Sequence, residues 1–373
     1  MPTAPLSRYL SVRRLLRTIR TPPQVIAPAG TYSTLREPPS ALLAADGSYQ
    51  AGWFRRSPKD INISSAGTRS RRYHRWFFVH FDSDDYFVSA NLIDLQIGGN
   101  AGIVVLNKRT GVFSLATETR FWRRNFVKIS PDCREFHDAR GDRFIRIAED
   151  DSRIDFDLVV KGMSLKGSAA SHLQPFVQTT AFEHGRGTHQ QWGNMTLING
   201  RLSIDGKQIE LQQGSAGAYD RSFGHRRLLE NWNWIIASGM ATSESGKTVP
   251  FALQAAHDRS LARPVAYGQK YALWIGDHFL KLPSLSFEYD YVNRRTLDTT
   301  AWKIFSPRGE GNAFVDLQFD PHHHRCEQVR VPLAFHVDHS NYFGALNGEV
   351  VVNNERFEIR DVFAATEDSM MVL

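Results

Sequence analysis

From about residue 50 onward, apolar and polar positions alternate in short runs, the period of strands that bury one face. Arg75-Trp76-Phe77-Phe78-Val79-His80-Phe81 is one such run, and Asp82-Ser83-Asp84-Asp85 turns it into Tyr86-Phe87-Val88-Ser89-Ala90-Asn91-Leu92. Asn107-Lys108-Arg109-Thr110-Gly111 joins two further strands as a hairpin, and Phe144-Ile145-Arg146-Ile147 and Ile154-Asp155-Phe156-Asp157-Leu158 continue the alternation. A second series starts near Trp192. Leu202 to Leu211 reads as a hairpin turned by Asp205-Gly206, and Tyr271 to Leu280 reads as another. Runs around Phe287, from Phe314 to Phe319 and from Val350 to Val352 complete the set. The pattern predicts an all-β chain built as two consecutive barrels or sandwiches, with glycine-rich Glu183-His184-Gly185-Arg186-Gly187 as the boundary loop.

Only the N-terminal stretch departs from this period. Tyr9, Val12, Leu15, Leu16 and Ile19 recur at helical spacing with arginines mainly opposite, which predicts a short basic amphipathic helix over residues 8–20. Thr21-Pro22-Pro23 ends it, and an extended Pro-rich linker follows. Such a helix can lie on an anionic membrane surface, act as a targeting presequence or pack on its own domain, and the residues leave these open. The expected division is residues 1–37, 38–190 and 191–373.

Composition sharpens the picture. At 373 residues and 42% hydrophobic the chain can bury two cores, and 24 Phe, 11 Tyr and 8 Trp favour strands around an apolar pocket. The net charge of +6 invites a nucleic-acid reading until it is located. Residues 1–36 hold six arginines and no acid; removing those six from 45 basic residues leaves 39, against 39 acidic. The β-rich part is formally neutral, so no nucleic-acid partner is expected. Two cysteines, Cys133 and Cys326, make no disulfide framework, and no run approaches the roughly 20 apolar residues of a membrane-spanning helix. A cytoplasmic protein, with membrane association through residues 8–20 as an option, is the expectation; the oligomeric state stays open.

The chemistry concentrates in Gly217-Ala218-Tyr219-Asp220-Arg221-Ser222-Phe223-Gly224-His225-Arg226, followed by Asn231-Trp232-Asn233-Trp234. Strand alternation puts Ala218, Asp220 and Ser222 on one face, and Trp232, Trp234 and Ile236 on one face of the next strand. If those faces meet, a carboxyl sits against indole rings, desolvation raises its pKa, and it becomes a general acid near neutral pH. The alternative is a turn aspartate and core tryptophans. Other constellations offer less. His322, His324 and Cys326 form a nominal zinc set, but Asp320-Pro321 reads as a turn there, and no metal is expected. His184 or His189 could supply a base from a loop. Gly98-Gly99-Asn100-Ala101-Gly102 reads as a turn rather than a phosphate loop, no Gly-x-Ser-x-Gly elbow is present, and Cys133 has no histidine partner nearby in sequence.

Several of these segments together resemble a known family. Gly52-Trp53-Phe54-Arg55-Arg56-Ser57-Pro58, Arg71-Arg72-Tyr73-His74-Arg75-Trp76, Leu197 to Gly206, Tyr219-Asp220, Trp232-Asn233-Trp234 with Ser238-Gly239, Tyr271 to Ile275 and Thr366-Glu367-Asp368 are similar to the bacterial domain of unknown function 2804 over residues 38–368. More distantly, the Asp-Arg step and paired-tryptophan strand resemble the carotenoid 1,2-hydratase and AttH-like group. That resemblance implies two lipocalin-like (calycin) β-barrels and cofactor-free protonation or cyclisation of a hydrophobic substrate; fold analogy alone does not give function. Asp220, Arg221, Trp232 and Trp234 match the pattern of that group. Ser222 and Phe223 stand where it has Glu and Trp, and Asn231, Asn233 and Ile235 replace Gly, Asp and Phe.

Two function classes follow. One is an enzyme that hydrates, dehydrates, isomerises or cyclises an isoprenoid- or lipid-like molecule in a pocket between the barrels, with no cofactor. Asp220 would be its acid, His225 its substitute base, and Tyr219, Arg221, Trp232, Trp234 and Trp76 its binding wall. The other is a non-catalytic carrier of the same hydrophobic ligand.

Overall fold

The computed structural model describes residues 35–63, 72–96, 98–121, 126–130, 132–138, 141–171, 173–182, 184, 186–226, 229–259, 269–282, 284–290, 301–306, 313–331 and 335–372. The predicted helix over residues 8–20 and most of the Pro-rich linker lie outside them. Among the described residues there is no helix, and none long and apolar enough to cross a membrane.

The chain is all-β and forms two sheets in succession. Among the described residues the first holds fifteen strands. They begin with β1 (Leu35–Arg36), β2 (Gly52–Phe54), β3 (Tyr73–Asp82), β4 (Tyr86–Asp94) and β5 (Gly98–Asn107). Next come β6 (Phe113–Phe121), β7 (Val127–Ile129), β8 (Glu135–Asp138), β9 (Phe144–Ile147) and β10 (Arg153–Val160). The set closes with β11 (Met163–Ala170), β12 (Phe176–Phe182), β13 (Arg186–Ile204), β14 (Lys207–Glu210) and β15 (Ala216–His225). The second sheet has nine among the described residues. They are β16 (Leu229–Ser243), β17 (Thr248–Asp258), β18 (Gln269–Ile275), β19 (His278–Lys281), β20 (Ser286–Glu288), β21 (Trp302–Phe305), β22 (Ala313–Val331), β23 (Phe335–Val352) and β24 (Glu355–Val372).

The main path of the first sheet runs β6-β5-β4-β3-β15-β13-β11-β10-β9-β8-β7, and that of the second runs β19-β18-β17-β16-β24-β23-β22-β21-β20. Each curls around its own core, so that residues from opposite ends of the path meet. Val88, Ile103, Ile145, Leu158 and Leu202 share one apolar cluster; Leu253, Leu273, Trp302, Leu317 and Val350 share another. The predicted Asp205-Gly206 turn is where the sequence placed it. Asp205 and Gly206 take φ of +49° and +84° between β13 and β14, as an Asp-Gly hairpin turn demands.

Three segments depart from the sequence reading. The passage between sheets falls between β15 and β16, not near residue 190: β13 pairs with β11, β12, β14 and β15, all in the first sheet. β12 and β13 pair as far as Phe182↔Arg186, so the same sheet flanks the glycine-rich segment on both sides and no sheet boundary falls there. Gly98 to Gly102 is strand β5 rather than a turn. Asp320-Pro321 does not stop β22; the strand runs through with a bulge between Pro321 and His323, the usual accommodation of a residue with no N–H to donate.

The two sheets pack through an aromatic layer. Phe87 meets Phe343 and Phe363 at centroid distances of 5.3 and 5.6 Å, and Phe78 meets Trp234 edge-on at 5.6 Å. Polar ties border it, including Trp274 Nε1 donating to Gln174 O at 2.8 Å. Because of this packing β15 is buried on both faces.

Candidate functional site

Strand register builds the site in transverse rows. On the first sheet, Trp192, Asp220, Phe78 and Asn91 lie side by side across β13, β15, β3 and β4, and Gln190, Ser222, Trp76 and Ile93 form the neighbouring row. On the second, Lys270, Ala256, Trp234, Glu367, Asn341 and Arg325 form one row, and Asp258, Trp232, Ser369 and His339 the next. These two walls enclose a cleft of about 390 Å³, lined by most of those side chains. It lies between the outer faces of the barrels, whose interiors are filled by their own cores.

Asp220 is 9% exposed. Its Oδ2 accepts from Trp76 Nε1 at 2.9 Å and its Oδ1 from Ser222 Oγ at 2.6 Å. Burial pushes its pKa up; the hydrogen bonds from Ser222 and Trp76 and the positive charges of Lys270 and Arg226 pull the other way without prevailing. Trp76 can only donate, which keeps Oδ2 an acceptor. Ser222 can donate or accept, so it satisfies Oδ1 with or without a proton there. Arg226 lies over the Trp76 ring, its Cζ 3.9 Å from the centroid.

Across the cleft stands a second carboxyl that sequence reasoning missed. Glu367 Oε2 accepts from Trp232 Nε1 at 3.1 Å, and Oε1 is 3.5 Å from His339 Nε2. Burial raises the Glu367 pKa; His339 and the Trp232 hydrogen bond lower it, and the charge of Asp220 raises it further. The two acids therefore sense each other. Thr366-Glu367-Asp368 was visible as a motif, but only the β16–β24 register puts Glu367 beside Trp234.

Of the residues expected at the site, Asp220, His225, Trp76, Trp232 and Trp234 line the cleft. Tyr219 and Arg221 do not. They point into the first barrel, because strand alternation turns them away from Asp220. Arg221 is fully buried and donates to Cys133 O at 3.0 Å, to Ser57 Oγ at 2.7 Å and to Gln191 Oε1. The hydroxyl of Tyr219 accepts from Gln191 Nε2 at 3.0 Å. His225 is a weaker partner than expected. Among the described residues no hydrogen bond joins it to Asp220; Nδ1 accepts from Gly187 N–H at 3.4 Å and its ring sits edge-on to Tyr73 at 5.2 Å. Burial brings its pKa down to about 4. His189 is no loop base either: it is fully buried in β13 between Ser57 Oγ and Thr179 Oγ1, each at 2.9 Å, and burial holds it neutral.

Cys133 is buried and its thiol is pushed up to about 11 by desolvation, against the pull of Arg221 and Arg75. The three members of the zinc-like set do not converge: His324 and Cys326 meet, while His322 is exposed at the bulge. Among the described residues no three His, Cys, Asp or Glu side chains are grouped to hold a metal ion.

The family model for the domain of unknown function DUF2804 matches residues 33–372. No curated protein matches the sequence. Among solved structures, the fold is similar to kievitone hydratase from Nectria haematococca, with 14% identity over 84% of this chain and 93% of that one and a TM-score of 0.48. It is also similar to CghA, with 12% identity over 84% of this chain and 94% of that one and a TM-score of 0.49.

Proposed function

The chain belongs to the DUF2804 family, and on that premise we propose that its cleft performs acid–base catalysis on a hydrophobic small molecule, with Asp220 as the acid and Glu367 as the opposing base. The observation that carries this reading is a desolvated carboxyl whose proton affinity is raised by burial, set in the wall of an aromatic cleft. Oδ1 delivers the proton, to an alkene carbon or to a departing hydroxyl, and Ser222 reorients as the charge changes. Where the faces of Trp76, Trp232, Trp234 and Phe78 meet the developing cation, each suitably placed ring attracts it by roughly 0.5–2 kcal/mol. Glu367 then takes a proton from the adjacent carbon or from water. The same two groups serve isomerisation, cyclisation, hydration or dehydration, depending on what is abstracted. Glu367 fills the role that the sequence reading had assigned to His225.

A carrier of the same ligand is the second reading, favoured by the apolar end of the cleft at Phe87, Val104, Phe343 and Ala365. Deuterium incorporation separates the two. Purified protein is incubated in D₂O with pooled unsaturated isoprenoids and fatty compounds, and masses are read after extraction. A catalyst adds deuterium to at least one compound, and Asp220→Asn abolishes that gain. Ligand retention with no incorporation by the wild type would overturn the catalytic reading and leave the carrier.

A further inference from the structure

The segment His322-His323-His324-Arg325-Cys326 has no part in the acid–base reading beyond Arg325. Past its bulge, β22 resumes alternation, so Arg325 faces the cleft while His324 and Cys326 turn to the opposite face. There Cys326 Sγ lies 3.0 Å from His324 Nε2 and 3.3 Å from Ser340 Oγ. His324 is fixed by stacking on the buried Tyr342 ring at 4.5 Å and 14°. Ser340, directly across from Cys326 in β23, is 1% exposed, whereas Cys326 itself is exposed. Asp368 is the next residue in the same row, with its carboxylate held by Arg259 and by Tyr289 Oη at 2.8 Å. An accessible sulfur thus has a positioned imidazole on one side and a buried hydroxyl on the other, the arrangement that makes a thiol a nucleophile rather than a packing atom.

We propose that Cys326, with His324 as its base and Ser340 as a hydrogen-bond donor to the sulfur, is a thiol–disulfide exchange site for small-molecule disulfides. His324 Nε2 takes the thiol proton and Sγ attacks one sulfur of the disulfide. The S–S bond breaks, and the departing thiolate collects the proton from His324. The protein gains a mixed disulfide and one equivalent of small thiol is released. The disulfide under attack is the only oxidant required.

The test treats the full chain with oxidised glutathione and follows the adduct by intact mass and peptide mapping. The expected result is a single adduct on Cys326, with Cys133 unmodified as the internal reference. The rate should fall by about tenfold or more in His324→Phe, which keeps the stacking on Tyr342 but removes the base. His324→Gln is the second variant if Phe does not fold. Equal rates in wild type and the folded His324 variant, or modification of Cys133 ahead of Cys326, would overturn the proposal.

Discussion

Replacing Asp220 with Asn separates the electrostatics of the acid from its shape. The wild-type carboxyl has a folded-state pKa raised above its ordinary 3.8, mainly by burial. A raised carboxyl pKa means that the folded state holds a proton the unfolded state releases. Stability therefore falls as pH rises from about 3.8 toward the folded pKa, at a limiting slope of about 1.4 kcal/mol per pH unit. Asn has no such dependence. Its carbonyl can accept from Trp76 and its amide can donate to Ser222, which is free to reverse its hydroxyl, so the pH-independent offset should stay within about 1 kcal/mol. Asp220 also raises the Glu367 pKa, so Asn removes part of that second penalty in the same direction. The assay is denaturant unfolding of both proteins from pH 4 to pH 8 at constant ionic strength. The Asn variant should gain on the wild type as pH rises, reaching a plateau above the folded pKa. Deuterium incorporation should meanwhile drop by roughly 10²–10⁴. Stability curves that stay parallel across the whole range would refute the claim that burial perturbs Asp220, whatever the activity does.

Arg221→Met should cost about 2–4 kcal/mol, because Ser57, Gln191 and the Cys133 carbonyl lose their buried donor; ligand affinity of the folded fraction should be unchanged, and a lower affinity at intact stability would return Arg221 to the site. Burial depresses the pKa of His80 to about 3 and of His225 to about 4, so both stay neutral in the folded protein while the unfolded chain takes up protons below 6.5. Their contribution to stability should therefore be lost on acidification from about pH 6.5, and His80→Phe should remove up to about 1.4 kcal/mol per pH unit of that dependence, measured by urea titration against the wild type. Gly224→Ala should destabilise strongly, since φ is +138° there and a Cβ would lie 2.3 Å from the Gly187 carbonyl oxygen; a melting temperature within a degree of wild type would contradict that geometry.

The alternation in Ala218 to Ser222 and in Trp232 to Ile236 was enough to predict which side chains share a face, and the strands and most turns were equally visible. What alternation lacks is the identity of the opposing surface. β15 is buried on both sides, so a polar pair such as Asp220 and Arg221 looks the same in sequence although one residue faces the cleft and the other a barrel core. The resemblance named both, and only the strand geometry separates them. Glu367 was hidden for a different reason. Its neighbours Trp232 and Trp234 are more than a hundred residues away, and their pairing depends on a register that shifts between Ala237 and Ala241. Proline misled in β22 because its local meaning is a turn, while its meaning in a long paired strand is a bulge.

The cleft takes one carboxyl from each of two bodies that carry separate cores. The separation of those carboxyls is therefore a mechanical coordinate of the whole molecule. A small rotation of one barrel against the other, pivoting on the Phe87–Phe343 and Phe78–Trp234 contacts, changes the gap between Asp220 and Glu367 while both cores stay intact. No lid is needed for such a site to open. An occupant that touches both walls resists that rotation and stiffens the molecule as a bolt stiffens a joint. Ligands that fit should then slow exchange of the amides facing the aromatic layer, and leave those deep inside each barrel as they were.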